Sequence, residues 1–117
     1  MSMPTTELTL WYGTTMIGRV RDAFCTDATW YGMLDRAIAP ADGPLASHLL
    51  EFMAFCEDWN RRSVAAPDNP PDPGEFDRFV DVIKSGLWFT QTTTGEKQPV
   101  IEAPNFTPGG ELSWRVG

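Results

Sequence analysis

The sequence predicts an α+β domain: an antiparallel sheet of about six strands with two helices on one face, in the order β-β-β-α-α-β-β-β. Three observations carry this. Short runs rich in β-branched and aromatic residues, bounded by turn residues, lie at both ends of the chain. One long amphipathic stretch, LASHLLEFMAFCEDW over Leu45–Trp59, occupies the middle. A proline-rich segment then separates it from a second, strongly marked helix start.

The elements follow in order. Met1 to Thr6 is a polar lead-in. Leu8–Tyr12 reads as a strand, Gly13 to Thr15 as a turn, and Met16–Arg21 as a second strand, so the pair forms a hairpin. Gly18 inside that strand signals a bulge or a close neighbour. Asp22 to Ala28 reads as a loop, and Thr29–Leu34 as a third strand with its own internal Gly32. A packing expectation follows: these two glycines face bulky rings across the sheet.

Ala39 to Pro44 is a turn into the first helix, which runs to about Ser63. Asp42 is the expected cap and Pro44 fits the first turn, where its missing N–H costs nothing. Leu45, Leu49, Phe52, Cys56 and Trp59 recur at helical spacing, with Met53 and Phe55 widening the stripe. Glu51, Glu57, Asp58, Arg61 and Arg62 fall opposite. A stripe this broad needs a covering layer.

Ala65–Pro73 holds four prolines and reads as a stiff exposed loop. Asp72 as cap, Pro73 in the first turn and Glu75 three residues after the cap predict a helix over 73–85, ending at Lys84 and Gly86. Phe76, Phe79, Val80 and Ile83 would form its apolar face. Leu87–Thr92, Pro99–Ala103 and Glu111–Val116 complete the strands. Thr93–Lys97 is a hairpin turn and Pro104–Gly110 an irregular loop.

With 117 residues, the chain suits one domain that buries roughly two-thirds of its unfolded surface. Sixteen acidic residues against nine basic give a net charge of −7. Such a surface repels nucleic acid and anionic membrane, which are held mainly by Lys and Arg, and attracts a basic protein. Two cysteines, Cys25 and Cys56, are too few for a disulfide framework, and Cys56 lies on the apolar stripe as a reduced core residue. No Cys/His ligand spacing exists, so neither a metal nor a cofactor is expected. The start MSMPTTELTL lacks the basic and apolar regions of a signal peptide, and no apolar stretch approaches the ~18 residues of a membrane span. A cytoplasmic location is expected.

The segments GTTMIGRV, DATWYGML, SGLWFTQTTTGEKQPVIEA and ELSWRV, around a helical middle, resemble a loose group of small bacterial proteins. Those share a glycine-centred first hairpin, a Trp-x-Gly third strand, a helical centre and an acidic-aromatic-Arg tail. The likeness spans most of the chain and departs at the proline-rich 65–73 insert. It implies a single domain and a bacterial source, and no activity.

Catalytic chemistry has little to stand on. His48 is the only histidine, at the flank of the apolar stripe. A general base needs a nucleophile and an orienting group beside it, and nothing in the spacing places Cys25 or Ser47 there. His48 reads as a boundary residue bonded to a neighbouring loop. Asp77 and Asp81 stand four apart on one helix face, but hard cations want more oxygens in a defined loop, so they read as solvated. No P-loop, dinucleotide fingerprint or nucleophile elbow is present.

Aromatic residues supply the candidate surface. Strand alternation puts one member of each pair Trp11–Tyr12 and Trp30–Tyr31 away from the helices. Either a partner, a loop or a second copy in a homodimer would cover them. The leading functional expectation is a small acidic protein-interaction domain, in one form an immunity or inhibitor-like binder of a basic partner. The outward members of Trp11, Tyr12, Trp30 and Tyr31 would anchor it. Asp68, Asp72, Asp77 and Asp81, with Glu57 and Asp58, would steer it. The alternative is a small-ligand module or small enzyme with a pocket between the sheet and the proline-rich loops.

Overall fold

The computed structural model describes residues 6–116. The lead-in expected over Met1 to Thr6 lies outside them except for Thr6, which opens the first strand. Strands β1 (Thr6–Tyr12), β2 (Thr15–Thr26) and β3 (Thr29–Arg36) precede helix α1 (Pro44–Ala65). A 3-10 helix (Pro73–Phe79) runs directly into the short helix α2 (Val80–Ile83). Strands β4 (Trp88–Thr92), β5 (Lys97–Pro99), β6 (Asn105–Phe106) and β7 (Glu111–Arg115) follow.

The sheet order is β5-β4-β1-β2-β3-β7-β6, and every neighbouring pair is antiparallel. The expected α+β architecture is therefore the observed one, with a seventh strand, β6, where a loop was expected. Just past β5, Val100 bridges Val116 just past β7, and the Ile101 N–H donates to the Arg115 carbonyl at 2.8 Å. The sheet thus curls into a half-barrel around its own core.

Alternation along the strands decides which residues fill that core. Leu8, Leu10 and Tyr12 point inward from β1, and Trp88 and Thr90 from β4. Leu112 and Trp114 do the same from β7. Helix α1 lies on this concave face through Ala46, Leu49, Phe52, Met53 and Cys56. Phe52 meets Phe79 at 5.4 Å, and Trp88 and Phe106 at 6.2 Å each. Leu45, in the first turn of the helix, stays 46% exposed and does not join the stripe.

Several local expectations are corrected. Asp42 does not cap α1. Its carboxylate accepts the Ala39 N–H at 2.9 Å and closes a 3-10 turn, which leaves Gly43 at the cap position. The second helix is 3-10 through Phe79 and α-helical for only four residues. A 3-10 turn repeats every three residues rather than 3.6, so the buried face rotates. Phe79 and Val82 are buried, three apart, while Val80 is exposed. The Asp72 carboxylate does cap this segment, accepting the Gly74 N–H at 2.9 Å. Glu75, instead of returning to the cap, forks onto Arg62 of α1 at 2.8 and 3.1 Å.

Asp22 to Ala28 is not a loop. Strand β2 runs through it to Thr26, with a register shift between Arg21 and Phe24 and with Asp22 at a φ of 56°. That is a bulge, an extra residue that bends the strand. Asp27 and Ala28, both at positive φ, form the two-residue turn into β3. Two positive φ values match the twist of the flanking strands.

Gly18 and Gly32 mark close approach, but not to rings. A methyl at Gly18 would sit 2.3 Å from the Asp35 carbonyl oxygen, and one at Gly32 would sit 2.4 Å from Val20 Cγ1. Both cysteines are free. Among the described residues, no helix is long and apolar enough to cross a membrane.

Candidate functional site

The curled sheet has a convex face that neither helix covers. Alternation assigns the candidate aromatics to it or to the core. Tyr12 is 7% exposed, points inward and stacks edge-on against Trp88 at 5.1 Å. Trp30 also packs against the core and stacks on the buried Trp114 at 6.0 Å. Trp11 and Tyr31 are the outward members.

These two do not form one patch. Trp11 pairs with Met16 near the start of β2, and Tyr31 with Phe24 near its end. At about 3.3 Å per residue, that separation is on the order of 25 Å. Between them lie the ion pairs Glu7–Arg19 and Arg21–Asp35. Trp11 stacks on Phe89 at 6.1 Å, and its indole N–H donates to Thr9 Oγ1 at 2.9 Å. Lys97 covers the Phe89 ring at 5.1 Å. This first patch is satisfied by the chain itself.

The second patch is different. Phe24 and Tyr31 stack at 5.4 Å with an interplanar angle of 23°, and each is 40% exposed. They line a groove of about 310 Å³ with Met33, Asp22, Glu111 and Ser113. Strand pairing builds it. Phe24 of β2 opposes Tyr31 of β3, which opposes Ser113 of β7, while Met33 opposes Glu111. The bulge puts Asp22 at the rim on the β2 side, and Thr107 anchors the β7 side by donating from both its N–H (2.9 Å) and its hydroxyl (3.0 Å) to the Glu111 carbonyl. Neither Asp22 nor Glu111 is within ion-pair distance of a Lys or Arg among the described residues.

Asp68, Asp72, Asp77 and Asp81 are all exposed, but on the proline-rich loop and the helical segment over the concave side. The structure therefore does not bring them together with Trp11 or Tyr31. Asp72 is engaged as a cap, and Asp81 Oδ2 lies 3.2 Å from His48 Nε2. His48 rests on the Phe79 ring at 5.5 Å, so its partner is α2 rather than a loop. Among the described residues, no cluster of three or more His, Cys, Asp or Glu could hold a metal ion.

A larger cavity of about 380 Å³ lies between α1, the 3-10 segment and the chain between β5 and β6. Phe52, Phe76 and Ile83 make its walls. Lys84 and Glu102, both lining it, pair with each other at 3.4 Å, which leaves few polar groups to orient a ligand. Cys56 contributes no nucleophile there: burial pushes its thiol up to about 12. A notch of about 290 Å³ beside the proline-rich loop, at Asn69 and Pro71, is smaller.

Asp22, Phe24 and Glu111 were not singled out from the sequence. Their one available signal is positional: Phe24 and Asp22 flank Ala23 in what alternation reveals only if β2 continues past Arg21. Comparison of the chain with protein-family models, with curated proteins and with solved structures finds no match. The resemblance drawn from the sequence rests on its short motifs alone.

Proposed function

We propose that the protein is an acidic interaction domain that binds a basic protein partner, with an immunity or inhibitor-like binder as one concrete form. One observation carries the reading. Arg19, Arg21, Arg36, Arg61, Arg62 and Lys84 are committed to carboxylates, and Arg78 and Lys97 lie over aromatic rings. Only six of the sixteen carboxylates belong to those Lys or Arg pairs among the described residues. Ten carboxylates are left without a Lys or Arg partner against three cations, Arg78, Lys97 and Arg115, among the described residues, and this negative excess favours a cationic partner and speeds its encounter.

The test is affinity capture from the native host followed by association kinetics at low and high salt. The expected result is a basic protein whose association rate falls steeply as salt rises. A salt-independent rate, or a nucleic acid as the captured partner, refutes the reading. The 380 Å³ cavity supports a second reading, a small-ligand module. A thermal-shift screen with small apolar acids and amines checks it, with a stabilisation that Ile83→Trp abolishes as the expected sign.

A further inference from the structure

The geometry points to the convex groove across β2, β3 and β7 as a docking site for an arginine side chain of that partner, an inference that rests on the basic-partner reading. Three features converge. The Phe24–Tyr31 stack offers exposed ring faces. Asp22 and Glu111 line the same groove from opposite sides of β3 and lack a bridging Lys or Arg among the described residues. Two half-buried rings elsewhere, Phe89 and Phe55, carry a cation of this chain, Lys97 and Arg78 respectively. The Phe24–Tyr31 pair carries none among the described residues.

Ring geometry selects the cation. The two rings contact each other, so nothing enters between them. A ligand group must lie flat on an outer ring face and still reach a carboxylate. A planar guanidinium does both, stacking by its face and forking onto oxygen by its edge. An ammonium on a flexible stem makes only one such contact at a time. The two carboxylates are about 10 Å apart in strand spacing, too far for one guanidinium to fork onto both. One therefore binds directly while the other adds field. The neighbouring Arg21 is held by Asp35 at 2.5 Å; it feels the charge of Asp22 but makes no ion pair with it.

The experiment uses the full chain, isotope-labelled, titrated with a capped Gly-Gly-Arg-Gly-Gly peptide and its citrulline twin, which keeps the shape and removes the charge. The expected result is saturable shifts at Asp22, Phe24, Tyr31 and Glu111 with the arginine peptide and much weaker ones with citrulline. The D22N/E111Q variant should weaken binding roughly two- to fivefold, as should Tyr31→Leu. Asn is chosen at position 22 because it tolerates the positive φ there. A thermal melt of each variant checks that the fold is kept. Should the shifts gather at Asp68, Asp72, Asp77 and Asp81, the groove assignment falls and the basic-partner reading stands. Equal shifts with citrulline overturn the arginine assignment. Absence of any shift, together with no binding of a long polyarginine peptide, overturns both.

Discussion

Replacing Phe52 by Ala is the most informative perturbation of the fold. Phe52 is 1% exposed and touches three other rings, Phe79, Trp88 and Phe106. Removing the ring forfeits about 2–3 kcal/mol of transfer free energy. The ring contacts add about 0.5–1.5 kcal/mol each when intact. They are not lost in full, because Phe52 already lines the 380 Å³ cavity and its neighbours have room to settle. The expected loss is about 4 kcal/mol, within the range for buried aromatic truncation. For a chain of this length it corresponds to a melting temperature lower by roughly 15 °C. Urea melts followed by tryptophan fluorescence measure it, since Trp88 is a contact partner. A variant too unstable to purify is replaced by Phe52→Leu, with an expected loss of about 1 kcal/mol. A loss below about 1 kcal/mol for Phe52→Ala would refute the claim that α1 is clamped into the half-barrel by this residue.

Three other outcomes are expected. Gly18→Ala should destabilise more than Gly32→Ala in the same melts, because it strikes a backbone carbonyl while Gly32 strikes a side-chain methyl; both should exceed about 1 kcal/mol. Cys56 keeps its proton up to about 12 when folded against an ordinary 9.0, so the folded state holds a proton that the unfolded state releases. Stability should therefore fall as pH rises from about 9 towards 12, and Cys56→Ala should flatten that slope in pH-dependent melts. His48→Ala should leave binding of a basic partner unchanged, with only a modest shift in melting temperature; loss of binding would place His48 in the interface.

Much of the fold was legible because period and punctuation agree. The spacing of Leu49, Phe52 and Cys56 and the Asp72-Pro73 start both marked real helical segments. What escaped was set by contacts distant in sequence. Within the 3-10 segment Pro73–Phe79, Glu75 is hydrogen-bonded by Arg62, a residue thirteen positions earlier, and that bond holds its carboxyl below the usual range. β6 exists only because Asn105 and Phe106 find β7 beside them. Of the candidate groove, strand alternation made the outward position of one member of the Trp30–Tyr31 pair legible, but not the acidic residues beside it. The carboxylates beside Tyr31 come from a bulge at Asp22 and from Glu111, some eighty residues further along. Strand pairing alone makes them neighbours.

The way the sheet closes also sets when it can form. β1, β2 and β3 are linked by short turns and can pair as soon as they leave the ribosome. β1, however, waits for β4 on its other side, and β3 waits for β7; both partners lie about eighty residues downstream. The Val100–Val116 bridge is the final stitch. Until β4 emerges, the nascent chain presents three paired strands with both outer edges bare, and the β3 edge stays bare until β7 follows. Such edges template wrong pairings. The sheet thus stays open to wrong pairing until two partners distant in sequence arrive, so its folding rests on the last strands to be made.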